Sequence, residues 1–174
     1  MYMTNKERSL QKIYGRKVEK MFNVWLSKNS AFFIEPTDDY TNKHDKIDYF
    51  LTFIHDSRKH RISVDTKSPC INKKYNNDIV NINYEDSYGN PGTIQKSKAE
   101  YYAILGKCNT DNSWRYFVVN ANVLKNYVYN ELTPHYGRNK TRYYSISIKD
   151  WVNHNWTFQV KENGSIVWSK HYFL

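Results

Sequence analysis

The chain has 174 residues, 40% of them apolar and 17% aromatic, enough to bury a core without covalent staples and inconsistent with wholesale disorder. Its 26 Lys and Arg against 17 Asp and Glu leave a formal charge of +9, a field that favours polyanionic partners, nucleic acid first among them. Cys70 and Cys108 are too few for a secreted disulfide framework or a four-ligand zinc site, and the histidines are scattered without ligand spacing.

Thr4-Asn5-Lys6-Glu7 has the pattern of a capping box at a helix start. Beyond it Leu10, Ile13, Tyr14, Val18, Met21, Phe22, Trp25 and Leu26 recur at helical steps, predicting an amphipathic helix to about residue 28. Pro36 and the polar stretch Thr37 to Asp45 read as a loop. Ile47 to Ile54 and Arg61 to Lys67 read as two strands around a turn from His55 to His60. Residues 68–92, rich in Asn, Lys, Tyr and Gly, are expected to hold one short strand, Ile79 to Tyr84, and a mobile loop ending at Asn90-Pro91-Gly92. A second helix is expected from Thr93 into Tyr101 to Leu105, a segment that fits a helix end or a strand. Trp114 to Asn120 alternates as a strand, Ala121 to Leu132 has helical spacing, and Tyr143 to Ile148 reads as a further strand. Trp156 to Lys161 and Ser165 to Ser169 should form a hairpin around Glu162-Asn163-Gly164, because Asn-Gly favours tight turns. No repeat or linker divides the chain. A single domain over 1–174 is expected, with its core in 5–120 and residues 121–174 completing or extending one central sheet of an α/β sandwich.

The chemistry concentrates on the predicted hairpin. With its turn centred on Ser57-Arg58, Asp48 would face Lys67, Phe50 would face Asp65, and Leu51, Phe53, Ile62 and Val64 would line the core face. Asp48, Asp65 and Lys67 then share the other face. Two neighbouring carboxylates resist joint ionisation unless a cation sits between them. Hard oxygen ligands suit Mg²⁺, with Mn²⁺ as a plausible substitute, and such an ion can activate water and neutralise a phosphoryl group. The same three residues fit equally a surface salt bridge on an edge hairpin.

Ile47-Asp48 followed by Asp65-Thr66-Lys67 resembles the PD-(D/E)XK nuclease superfamily, and the element order to about residue 120 is similar to that family's core. The resemblance implies a restriction endonuclease-like three-layer fold, a central mixed sheet flanked by helices. It implies Mg²⁺-dependent hydrolysis of DNA, with Asp48 and Asp65 as metal ligands, the Thr66 carbonyl as a further ligand, and Lys67 beside the attacking water. Glu19 matches the acid that many members carry on the first helix, as a catalytic and metal-binding group; Glu7 is its rival, already explained as a cap. Gln95 matches a glutamine that touches water or phosphate in some members. One departure is Ile47, where the family has Pro.

For nucleic-acid contact, Lys96, Ser97 and Lys98 cluster at the second helix, Lys73 and Lys74 follow the motif, and Arg138, Lys140 and Arg142 form another basic set. The sixteen tyrosines carry no such weight, since core and surface positions of a β-rich fold absorb most of them. The expected partner is DNA, duplex or branched, and a homodimer is plausible because restriction and junction resolution usually need two active sites. A non-catalytic nucleic-acid binder and an RNA nuclease remain the alternatives. Without a membrane-length apolar run or a signal-peptide pattern, the chain is expected to be soluble and cytoplasmic, with no membrane partner.

Overall fold

Helix α1 (Asn5–Leu26) begins at the capping box: Glu7 N–H donates to Thr4 Oγ1 at 3.2 Å and Thr4 N–H donates to the Glu7 carboxylate at 2.6 Å. The structure, a computed structural model, describes residues 4–71, 76–137 and 140–171. The apolar stripe of α1 buries Val18, Phe22, Trp25 and Leu26, as its periodicity requires.

That stripe packs on a seven-stranded mixed sheet. Its strands are β1 (Phe32–Pro36), β2 (Tyr49–His55), β3 (Arg58–Lys67), β5 (Tyr101–Lys107), β6 (Trp114–Asn120), β9 (Phe158–Lys161) and β10 (Ile166–Trp168), adjacent in that order. All neighbours are antiparallel except β3 and β5, which run parallel. The β3–β5 crossover carries β4 (Ile79–Glu85) and the four-residue helix α3 (Thr93–Lys96). The sheet curls so far that Trp168 on β10 reaches Phe53 on β2, with ring centroids 5.7 Å apart, and Phe32 on β1 at 6.4 Å. The concave side is filled by α1 with Tyr49, Leu51, Val64, Tyr116 and Phe158.

A second core lies across the sheet. Helix α4 (Ala121–Glu131) buries Leu124 and Val128 there, and a three-stranded sheet adds Val80, Ile82, Tyr144 and Ile146. This smaller sheet joins β4 to β8 (Arg142–Ser147) and β8 to β7 (His135–Tyr136). The result is a three-layer α/β arrangement with a central mixed sheet flanked by helices, as expected. The smaller sheet is a departure from the single sheet read in the sequence, and it arises because β4 pairs with β8 rather than with its chain neighbours.

Other differences are local and have physical causes. Thr37 to Asp45 is not all loop: Asp38 caps α2 (Asp39–Asp45) by accepting Thr41 N–H at 2.7 Å, and Lys46 closes it in a left-handed conformation, φ 54°. The second helix stops at Lys96 because Ser97 is already extended, and Tyr101 to Leu105 is strand throughout. The hairpin turns on Asp56 and Ser57, both at positive φ, as a two-residue turn needs. Leu51 therefore opposes Ile62, and Phe53 opposes His60. Opposing positions have moved by two residues, an even step, so each side chain keeps its expected face. The Asn-Gly hairpin forms a three-residue connection, with Gly164 at φ 85° and Lys161 N–H donating to Ser165 O.

Phe22 is fully buried between Tyr49 and Tyr116, with ring centroids at 6.0 and 5.0 Å. Phe22→Ala is expected to destabilise the protein by about 3–5 kcal/mol through lost burial and the cavity left behind. Urea denaturation followed by circular dichroism checks this.

Candidate active site

The hairpin register sends alternate β3 side chains to opposite faces of the sheet, so Asp65 and Lys67 share the face away from α1. Lys67 Nζ donates to Asp65 Oδ1 at 2.6 Å. Asp65 is only 4% exposed, and its second oxygen, Oδ2, is buried with no hydrogen-bond partner. Its strand neighbour across the parallel pair is Tyr102, whose ring lies 5.8 Å below the Lys67 ammonium.

Asp48 sits one residue before β2 and is anchored by backbone bonds to β3 and to the residue that follows β1. Its N–H donates to Val64 O at 2.9 Å, and its carbonyl accepts Thr37 N–H at 3.0 Å. The carboxylate is held from both ends. Asn42 Nδ2 donates to Oδ1 at 2.7 Å, and Thr66 donates to Oδ2 through both N–H and Oγ1, each at 2.7 Å.

The electrostatics tie these groups together. Burial pushes the Asp65 carboxyl up to about 7; the Lys67 and Lys46 charges oppose that rise, while the Asp48 charge adds to it. Burial also raises Glu19 on α1, reinforced by Asp48 and opposed by Lys67, Lys20 and Arg16. Glu19 and Asp65 are thus each within the fields of Asp48 and Lys67, at the same end of the hairpin. Glu7 stays in its cap.

Among the described residues no three His, Cys, Asp or Glu side chains form a cage that holds a metal by protein ligands alone. Mg²⁺ needs no such cage, since it retains waters and takes one or two carboxylates with substrate phosphate oxygens. The unsatisfied Asp65 Oδ2 and the oriented Asp48 carboxylate fit that donor set. A bound cation would also supply the partner that Oδ2 lacks.

The other candidates are placed as follows. Gln95 and Lys96 are exposed on α3. Ser97 is 3% exposed and its hydroxyl donates to Lys46 O at 3.3 Å, so it braces the backbone. Lys98 is exposed and paired with Asp45 at 2.8 Å. Arg142 pairs with Glu85 at 3.1 Å and stacks over Tyr84, in the smaller sheet, while Lys140 is exposed beside it in the chain. Lys73, Lys74 and Arg138 lie outside the described residues. Sequence reading missed Asn42 and the Thr66 side chain, both of which orient Asp48, because the segment bearing Asn42 read as a loop. Asp38, followed three residues later by Thr41, was the available signal for a helix there.

Metal-free stability should carry the mark of Asp65. Its carboxyl titrates near 3.8 when unfolded and about 7 when folded, so between those values the folded state holds the extra proton. Stability is therefore expected to fall as pH rises from about 4 to about 7. Asp65→Asn should remove most of that slope, leaving the smaller contribution of Glu19. Urea midpoints in EDTA across this range test it; an unchanged slope in the variant would contradict the assignment.

No family model matches the chain, and no curated protein matches it. Among solved structures it is similar to one described as "Structure of D212, a nuclease from a fusselovirus", at 15% identity over 86% of this chain and 88% of that one, with a TM-score of 0.40. A likeness of that degree assigns neither family nor chemistry, and the functional reading rests on the residues themselves.

Proposed function

We propose that the protein is a metal-dependent nuclease of the PD-(D/E)XK class that hydrolyses DNA phosphodiester bonds. The observation that carries this reading is Asp65: a buried carboxylate with one oxygen on Lys67 and the other unsatisfied, facing the field of an oriented second aspartate. A purely structural ion pair gains little from burial of this kind, because desolvation opposes the attraction and an orphaned oxygen adds to the cost.

Asp48 and Asp65 would hold Mg²⁺, with Glu19 completing the acidic side and the Thr66 carbonyl in reach of the role that the family resemblance implies. When bound, the ion supplies charge neutralisation at the phosphate and acidifies water. Asn42 and Thr66 keep the Asp48 carboxylate from rotating, which preserves the geometry that attack on phosphorus requires. Lys67, resting on Tyr102 and Asp65, presents ammonium donors where they can orient the attacking water or stabilise developing charge. Gln95, exposed on α3, is a candidate contact to water or phosphate. The net charge of +9 supports a polyanionic substrate. If the enzyme cuts both strands, a homodimer would supply the second site.

The test is a cleavage panel with Mg²⁺ and with EDTA on supercoiled plasmid, a four-way junction, single-stranded DNA and RNA. Mg²⁺-dependent cutting of DNA is expected, and Asp48→Ala and Lys67→Ala should each lower the rate on the order of 100-fold or more while leaving DNA binding largely intact. If neither substitution changes a rate above background, the site assignment is wrong. Cutting confined to RNA would move the substrate class.

A further inference from the structure

Ser97 joins three elements that are far apart in the chain. Its hydroxyl donates to Lys46 O, at the left-handed end of α2, at 3.3 Å. Its carbonyl accepts Lys125 Nζ from α4 at 3.2 Å. Its neighbours in sequence are Lys96 and Lys98, and Lys98 N–H donates to Asp45 O at 2.9 Å. Lys46 at the end of α2, Lys96 and Lys98 at the end of α3 and Lys125 on α4 are thus brought to one buried serine, Lys125 through its ammonium and Lys46 through its backbone carbonyl.

The acids facing this cluster are fewer. Asp45 pairs with Lys98, and Asp86 acts on Lys96 from the loop before α3. Among the described residues Lys46, Lys96 and Lys125 form no ion pair. Asp65 adds a third acid, acting on Lys46, so among the described residues three acids act on this set of four lysines. The backbone beneath Lys46 is fixed on both sides: Ser97 binds its carbonyl, and Thr37 Oγ1 donates to the carbonyl of Ile47 at 2.5 Å. Two residues further on is Asp48, so the cluster is continuous with the candidate active site. The Lys46 charge also reaches Asp65.

We infer that Lys46, Lys96, Lys98 and Lys125 form a track for the phosphodiester backbone of duplex DNA, entering the site beside Asp48. The role of the track in presenting substrate rests on the nuclease reading; its binding of phosphate does not. Lysine ammonium groups act as point charges and bind phosphates without reading bases, so the track supplies affinity and register with little sequence preference. Ser97 is its scaffold and makes no phosphate contact itself.

The test measures binding of a short DNA duplex to the full chain in EDTA over a range of salt concentrations. Lys46→Gln and Lys125→Gln should each reduce the slope of log K against log salt by about 0.9, and the double variant by about 1.8. Lys125→Arg should retain the wild-type slope, and Lys59→Gln, on the far end of the β2–β3 hairpin, should leave it unchanged. Unchanged slopes in a double variant with wild-type circular dichroism would overturn the track. So would lower affinity at an unchanged slope, which would assign the lysines to bracing residues 96–98. An equal slope change in Lys59→Gln would overturn it too, by showing diffuse surface charge. Wild-type cleavage in Mg²⁺, measured in parallel, separates the two readings. Absent cleavage with the predicted slope changes defeats the nuclease reading and keeps the track; cleavage with unchanged slopes does the reverse.

Discussion

The ion pair between Lys67 and Asp65 is the constraint around which the candidate site is arranged. It places a carboxylate inside a central strand, where solvent cannot compensate it, and leaves one of its oxygens without a donor. A core residue of similar size would pack there at lower cost. The remaining elements keep this unfavourable group in place: β5 runs parallel beside it, Tyr102 lies under the lysine, and two apolar cores clamp the sheet from both sides.

Asp48 is built differently, and the contrast has consequences for any chemistry at this end of the hairpin. It accepts three hydrogen bonds, from an asparagine on α2 and from both polar donors of Thr66. Those bonds fix its orientation, whereas burial favours the neutral form of Asp65. The pair thus consists of one carboxylate held in place by donors and one with an oxygen that lacks a partner. Glu19 adds a third acid from the helix layer, half-buried and sensitive to the same charges.

The lysines around Ser97 show how a charged surface can depend on a buried polar hinge. The serine hydroxyl and carbonyl link the end of α2, the exit of α3 and the side of α4. Each of those elements owes its position to a separate cause, the Asp38 cap for α2, β4 for α3 and the second core for α4. The positive patch is therefore a product of tertiary packing, and it adjoins the carboxylates because Lys46 and Asp48 lie on the same short connection into β2.

Local interactions made much of this legible before the fold was known. The capping box, the α1 stripe, the Asn-Gly hairpin and the common face of Asp65 and Lys67 follow from neighbours in sequence and from fixed helical and strand periods. Even a misplaced hairpin centre left the faces intact, since moving the centre by one residue shifts the opposing positions by two. Tertiary structure alone decided that β4 pairs with β8 in a second sheet, that Trp168 closes toward Phe53, that Asn42 holds Asp48, and that Lys46 and Lys125 meet at Ser97. Those contacts join residues distant in the chain, and their partners are selected by crossover connections and shared burial, which no short window of sequence contains.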